Sequence, residues 1–194
     1  MLVLDLDETL LHVEYKSPPQ FDFKVQCDKR ILFVQVRPNA KIFLENVQSH
    51  YQLAVFTAAL PNYADPMLNR MDPERYISFR FYRHHCRMFK DVYVKDLEML
   101  GTPLHRTLLV DNHPGSFMVH RSNGIPIKSY LGGKEDTALL ELWSFLDEIK
   151  NESNLLPKAV KYSNAWREEL RTRSESNDGS LTQSMESTTS SGPQ

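Results

Sequence analysis

The chain opens on three apolar residues, Leu2-Val3-Leu4, that run straight into Asp5 and, one residue further on, Asp7. A short unbroken apolar run bounded by polar residues predicts a strand buried on both faces. Residues 21–36 alternate in two runs, Phe21/Phe23/Val25 and Ile31 to Val36, on either side of Asp28-Lys29-Arg30, the pattern of an inserted β-hairpin. Pro38 then opens a helical repeat with Ala40, Phe43, Leu44 and Val47 on one face. Gln52 to Phe56 predicts a buried strand ending at Thr57. Ala64, Met67, Leu68 and Met71 mark the inner stripe of a second helix, stopped by Asp72-Pro73. Ile77, Phe79 and Phe81 alternate as a strand, and Val92-Tyr93-Val94 runs into Lys95, followed by a short helix around Leu97 and Leu100. Thr107 to Val110 runs into Asp111-Asn112, and Ile125 to Ile127 is a last short strand. Leu139, Leu142, Trp143, Leu146 and Ile149 form the stripe of a closing helix. Strands alternating with helices predict an α/β fold, a mostly parallel sheet with helices on both faces.

Composition divides the chain without changing that picture. Residues 1–150 carry the alternating pattern and make one domain. Residues 151–173 form an extension, with a helix expected over 159–173 bearing Trp166 and Leu170. Residues 174–194 turn to Ser, Thr, Asn, Gln, Gly and Glu with almost nothing to bury and are expected to be disordered. A net charge of −2 argues against bulk nucleic-acid binding. Two cysteines, Cys27 and Cys86, give no disulfide framework and suit a reducing compartment. No apolar run approaches the roughly 20 residues of a membrane span, and the sequence has no signal peptide. The chain begins only four residues before Asp5, so any targeting or anchoring segment would lie upstream of it.

Chemistry enters at the strand ends. In an open α/β sheet ligands bind at the carboxyl edge of the strands. With one residue between them, the carboxylates of Asp5 and Asp7 crowd one point, and a cation or a shared proton must relieve their repulsion. Magnesium, held by a carboxylate or two with water and phosphate oxygens, is the candidate. Alone, such acids read equally well as caps of the following segment. Four strands, however, are expected to end at one edge in Asp5, Thr57, Lys95 and Asp111. Separately, Thr57 reads as a helix cap and Lys95 as a surface lysine. Together they supply carboxylates, a hydroxyl and an ammonium, a charge-balanced site for a phosphate and a divalent ion.

Asp5-Leu-Asp7-Glu-Thr9, the Phe56-Thr57-Ala-Ala-Leu60 strand end with Tyr63-Ala64-Asp65-Pro66, Tyr93-Val-Lys95-Asp96-Leu97 and Val110-Asp111-Asn112-His-Pro114 resemble the motifs of the haloacid dehalogenase superfamily. More narrowly, they resemble its small protein phosphatases of the polymerase carboxy-terminal-domain type. Phe81-Tyr82-Arg83-His84-His85-Cys86, Ile125-Pro126-Ile127-Lys128-Ser129 and Asp136-Thr137-Ala138-Leu139-Leu140 give the likeness a Dullard-type shading. The resemblance covers about residues 1 to 150. It implies a Rossmann-like parallel sheet with an inserted hairpin and no large cap. It also implies a magnesium-dependent serine/threonine protein phosphatase acting through an aspartyl phosphate, in a nuclear or cytoplasmic monomer. Asp5 would be the nucleophile and Asp7 the general acid and base. Thr57, Ala58 and Lys95 would hold the phosphoryl oxygens, and Thr9 would support the acid-bearing loop. Magnesium would be held by Asp5, the main-chain carbonyl of Asp7 and Asn112, with Asp111 close enough to ligate or orient it. A groove for the substrate's peptide segment would be built from Tyr15, Leu60 and Tyr63, with Val25 and Val34 contributing. Pro61-Asn62 ahead of Tyr63 departs from the polymerase-specific members and points away from the polymerase tail as substrate.

Rival chemistries fare less well. A cysteine phosphatase needs an arginine six positions after its cysteine, where this chain has Val92 and Phe33. A zinc site on His84, His85, Cys86 and His105 is disfavoured, because neighbouring histidines on a strand would point to opposite faces. A small-metabolite phosphatase of the same superfamily would carry a large cap, which no segment here is long enough to form. A non-catalytic peptide-binding relative would have no need to keep Asp5, Asp7, Lys95 and Asp111 together.

Overall fold

The computed structural model describes residues 1–169 and 171. In chain order its strands are β1 (Leu2–Leu4), β2 (Leu11–Glu14), β3 (Phe23–Cys27), β4 (Arg30–Val36), β5 (Leu53–Phe56), β6 (Ile77–Phe81), β7 (Arg87–Phe89), β8 (Val92–Val94), β9 (Leu108–Asp111) and β10 (Gly124–Pro126). The helices are α1 (Ala40–Val47), α2 (Pro61–Met71), α3 (Ala138–Ile149) and α4, residues 156–169.

Five strands pair in the order β10-β9-β1-β5-β6, and every pairing is parallel. Alternation along these buried strands sends successive side chains to opposite faces. Leu2, Leu4, Leu53, Val55, Leu108 and Val110 enter the larger core, closed by α1, α2 and α3. Val3, Ala54 and Leu109 enter a smaller one with Leu97 and Phe117. Helices therefore cover both faces unequally, with α-helices on one and single 3₁₀ turns such as Leu97–Leu100 and Pro114–Phe117 on the other. The buried residues of α1 and α2 are the ones the helical spacing selects, Ala40, Phe43, Leu44 and Val47, then Ala64, Met67, Leu68 and Met71. Truncating a fully buried leucine such as Leu44 to alanine would cost about 2–5 kcal/mol.

The expected hairpin forms and gains a third strand, and one expected strand moves out of the parallel sheet. The inserted hairpin is the outer part of a three-stranded antiparallel sheet, β2-β4-β3, because Leu11–Glu14 pairs along β4. Phe79 of the strand expected at 77–81 is 41% exposed, since β6 is an edge strand with less of the fold to cover it. The strand leading into Lys95 lies outside the parallel sheet altogether. β8 pairs antiparallel with β7 in a separate two-stranded ribbon, a pairing that apolar alternation alone does not disclose.

The extension packs onto the edge strand β10. Leu155 and Ala159 are buried in the larger core, Tyr162 stacks on Phe145 with ring centroids 4.2 Å apart, and Ser163 Oγ donates to the Gly124 carbonyl at 2.7 Å. The helix begins at 156, ahead of the expected 159. Leu170 and the polar segment 174–194 fall outside the described residues. Among the described residues no helix is long and apolar enough to cross a membrane.

Candidate active site

Parallel pairing puts the carboxyl ends of all five strands along one edge. From β1 the chain proceeds to β5 and β6 on one side and returns to β9 and β10 on the other, which opens a crevice beside β1 at that edge. Asp5 follows β1 and Asp111 ends β9, and the Asp5 amide donates to the Val110 carbonyl at 2.9 Å. Thr57 follows β5, with its amide on the Phe81 carbonyl at 2.9 Å, so the ladder fixes its main chain too. Its side-chain oxygen accepts from the Ala59 amide at 3.0 Å, shaping the turn into α2.

Lys95 reaches the same point from the ribbon. Its Nζ donates to Asp5 Oδ1 at 2.5 Å and to Asp111 Oδ2 at 2.6 Å, and the residue is 1% exposed. Burial alone would lower the pKa of this ammonium. The two carboxylates outweigh burial and hold it above the ordinary lysine range. Burial pushes the Asp5 carboxyl up to about 7 despite the pull of Lys95. Asp7 is also raised by burial, partly offset by the Tyr63 hydroxyl, which donates to its Oδ1 at 2.6 Å. The same contact and its own burial push the Tyr63 phenol upward. Asp5 and Asp111 thus share one buried ammonium, Asp7 stands nearby on Tyr63, and the site is short of positive charge.

The loop that carries the acids is pinned from below. Glu8 sits in the left-handed region, φ 59°, a conformation that costs a residue with a side chain on the order of 1 kcal/mol or more. Its main-chain carbonyl accepts from the Tyr130 amide at 2.7 Å, and its carboxylate from Asn112 Nδ2 at 3.1 Å. Thr9, fully buried, donates from Oγ1 to Asn112 Oδ1 at 3.3 Å, and its carbonyl accepts from Arg37 Nη1 at 3.0 Å. Arg37 is itself buried and forks onto Asp136 at 2.7 and 2.9 Å. The strained turn is therefore over-determined by its neighbours.

Asp5, Asp7, Thr57, Ala58, Lys95, Asp111 and Asn112 all line one open cleft of about 650 Å³, and Tyr15, Leu60 and Tyr63 extend its wall. Thr9 lies beneath it. Val25 and Val34 do not reach the groove; they are 8% and 0% exposed, because the third strand β2 makes that face of the inserted sheet a core. The residues that depart from the polymerase-specific pattern have a structural place. Pro61 is the first residue of α2, and the Asn62 carbonyl accepts from Cys27 Sγ at 3.7 Å, joining the hairpin tip to that helix. His84 and His85 sit on a 3₁₀ turn, Arg83–His85, and not on a strand; their ring centroids are 4.0 Å apart, so the expectation of opposite faces fails. Among the described residues no group of three or more His, Cys, Asp or Glu side chains is assembled for a metal.

Arg83, part of the motif at 81–86, has a place at the site that its sequence context alone does not announce. It follows the end of β6, lines the cleft, donates from Nε to the Ala58 carbonyl at 2.6 Å and lies over the Tyr93 ring at 5.1 Å. The signal was available: β6 is a fourth parallel strand, so the cation just past its end belongs to the same edge. Asp91, at the turn of the ribbon, also lines the cleft.

A family model described as NLI interacting factor-like phosphatase matches residues 1–156. The chain is 42% identical over 152 residues to a probable C-terminal domain small phosphatase of Dictyostelium discoideum, covering 76% of this chain and 50% of that protein. It is 39% identical over 163 residues to CTD nuclear envelope phosphatase 1 of Xenopus tropicalis, covering 77% of this chain and 67% of that protein. Among solved structures, fission yeast RNA polymerase II CTD phosphatase Fcp1 bound to beryllium fluoride aligns with a TM-score of 0.56 at 18% identity, over 87% of this chain and 55% of that one, a likeness of fold. The chain spans about half to two thirds of the length of these relatives.

Proposed function

The chain belongs to the NLI interacting factor-like phosphatase family, and on that premise we propose that it hydrolyses phosphoserine and phosphothreonine in protein segments through an aspartyl phosphate on Asp5. The observation that carries the reading is the buried lysine clasped between Asp5 and Asp111 at the floor of an open cleft. An Asp5 oxygen attacks phosphorus, and the bond to the serine or threonine oxygen breaks as Asp7 delivers a proton to it. Asp7 then takes a proton from a water that attacks the same phosphorus, releasing phosphate and restoring the Asp5 carboxylate. Lys95, with the Thr57 hydroxyl and the main chain at Ala58, holds the transferring oxygens where charge gathers in the transition state. Tyr63 keeps Asp7 oriented toward the cleft between substrates. Arg83, exposed at the mouth, is placed to meet the incoming phosphate's charge.

Magnesium fits the residues present. Three carboxylates close to one ammonium leave negative charge in excess, and after burial the charges of Asp111 and Asp7 add to the upward push on Asp5. The donors are the hard oxygens this ion prefers. Asp5, Asp111, the Asn112 amide oxygen and the Asp7 main-chain carbonyl would hold it, with water completing the shell. When bound, it neutralises charge on the phosphate oxygens.

A protein substrate suits the shape. No large cap covers the cleft among the described residues, and Tyr15 and Leu60 are 63% and 45% exposed beside it. Those side chains would take the apolar residues flanking the phosphorylated one. The proposed protein is a nuclear or cytoplasmic monomer that acts on a phosphorylated peptide segment and makes no direct use of nucleic acid. The test is phosphate release from a panel of phosphoserine and phosphothreonine peptides with and without magnesium. Turnover of peptides only when the metal is present supports the reading; activity confined to small phosphate esters, or none, overturns it.

A further inference from the structure

Unlike Asp5, Thr57 and Asp111, Lys95 is not held by the parallel ladder. A lysine reaches its target on a flexible four-carbon stem, so a small turn of the main chain at its foot moves the ammonium by a large fraction of an ångström. The next residue, Asp96, is 4% exposed and faces three donor groups, two in hydrogen bonds and one in an ion pair. The Glu98 amide at 3.1 Å and His120 Nε2 at 2.7 Å meet its Oδ1, and Arg87 Nη2 lies 2.7 Å from its Oδ2. Lys95 contributes a parallel stitch, its amide donating to the Ser116 carbonyl at 2.8 Å. Ser116 and His120 belong to the stretch that follows Asp111, the lysine's own partner. Beside the Lys95–Ser116 stitch the packing is close: a Cβ at Gly115 would lie 2.9 Å from Val92 Cγ1 of β8.

The three donors are unequal. The Arg87 side chain is 71% exposed, and an ion pair so open to water contributes little. The His120 side chain is 9% exposed, so its bond is made in a low-dielectric setting where hydrogen bonds are stronger. The bond from His120 leads the interactions that hold the Asp96 carboxyl below the usual range; an ionised carboxylate accepts only, so His120 Nε2 is the donor.

We propose that Asp96, held by His120, is the positioning residue for Lys95. It locks the foot of the lysine to the segment behind Asp111, so that the ammonium stands between Asp5 and Asp111. The inference rests on the phosphatase reading, in which Lys95 holds the phosphoryl oxygens.

The test is a double-mutant cycle on the magnesium-loaded full chain, reading kcat/KM with p-nitrophenyl phosphate and the affinity for tungstate. Lys95→Ala and Asp96→Ala are each expected to lower both, the second by roughly 10- to 100-fold, as a misplaced catalytic group does. The double variant is expected to match Lys95→Ala alone, because Asp96 acts only through the lysine. If the two losses multiply, or if Asp96→Ala keeps near-normal values, the positioning role is wrong while the phosphatase reading stands. If Lys95→Ala keeps normal values, both fall. Should Asp96→Ala fail to fold, His120 gives the same answer. His120→Gln, which keeps a side-chain N–H donor, should retain most of the kcat/KM that His120→Ala loses, and equal values for the two overturn the proposal.

Discussion

The carboxyl edge of the parallel sheet and the β7–β8 ribbon supply the same cleft in different ways. β1, β5 and β9 each have a strand on both sides, and their residues are fully buried or nearly so. β7 and β8 pair only with each other, and all three residues of β7 are exposed, Met88 at 57% and Phe89 at 51%. The sheet delivers the two acids and the hydroxyl as extensions of a hydrogen-bonded ladder. The ribbon delivers the ammonium, and with it Tyr93 and Asp91 of the cleft wall. Groups that make and break bonds thus stand on the rigid element, whereas the group that balances charge stands on the thin one, held by one main-chain stitch and the side chain of Asp96. A site can tolerate that division when the cation's place is set by two carboxylates as well as by its own main chain.

The largest effect should come from the sheet side. Asp5→Asn leaves a far poorer nucleophile in an unchanged shape. Turnover of phosphopeptides should fall to background while the circular dichroism spectrum and the melting curve stay those of a folded protein; residual wild-type activity would remove Asp5 as nucleophile. On the ribbon side, Lys95→Ala should cost on the order of 10²-fold in kcat/KM, comparable to losing a positioned oxyanion donor. Steady-state kinetics decide it, and a loss under threefold would mean that the ribbon contributes no catalytic charge. A smaller effect is expected where the two parts meet without any charge being touched. Gly115→Ala places a methyl against Val92 and the His113 ring, at 2.9 and 2.7 Å, and overpacking of this kind costs about 1–3 kcal/mol. It should lower the melting temperature and reduce kcat/KM roughly tenfold through displacement of the ribbon. A full loss of stability with unchanged kcat/KM would show that the ribbon's position does not matter to the site.

The mildest effect is one of pH. Asp5, at about 7 in the fold, and Asp7, also raised, both bind protons more tightly folded than unfolded. Their contribution to stability is complete below the unfolded carboxylate range and is lost as pH rises through the folded values. Without metal, stability should therefore decline between roughly pH 4 and pH 7 from these two groups. Asp5→Asn should flatten the decline, and magnesium should offset it near pH 7. Urea denaturation of metal-free protein across that range measures the slope, and a rise with pH that Asp5→Asn leaves untouched would contradict the assignment.

Much of this was legible in the residues. Helix stripes could be read because burial on a helix repeats at a fixed spacing, and Ala64, Met67, Leu68 and Met71 are buried as that spacing requires. The strand ends at Asp5, Thr57 and Asp111 were readable for the same local reason: an apolar run stops where polar chemistry begins. Which strands pair is a long-range matter, and there the reading slipped. Val92-Tyr93-Val94 has the composition of a sheet strand, yet its neighbour is Arg87–Phe89, too polar and exposed to announce itself. Leu11–Glu14 alternates as a strand should, with Leu11 and Val13 against His12 and Glu14, but four residues are too short a run to stand out without its partner β4. Arg83 escaped because arginines after strands are common; only the parallel direction of β6 gives this one a place at the cleft.

The helix α4 has a meaning apart from chemistry. β10 is an edge strand whose three residues are all buried, and α4 is what lies against it. An uncovered apolar strand edge is a template on which a second chain can pair. A protein cut at residue 156, where the family match ends, would keep every group of the cleft and yet bare that edge. Its first failing would be self-association during expression and refolding, long before any fault appeared in catalysis.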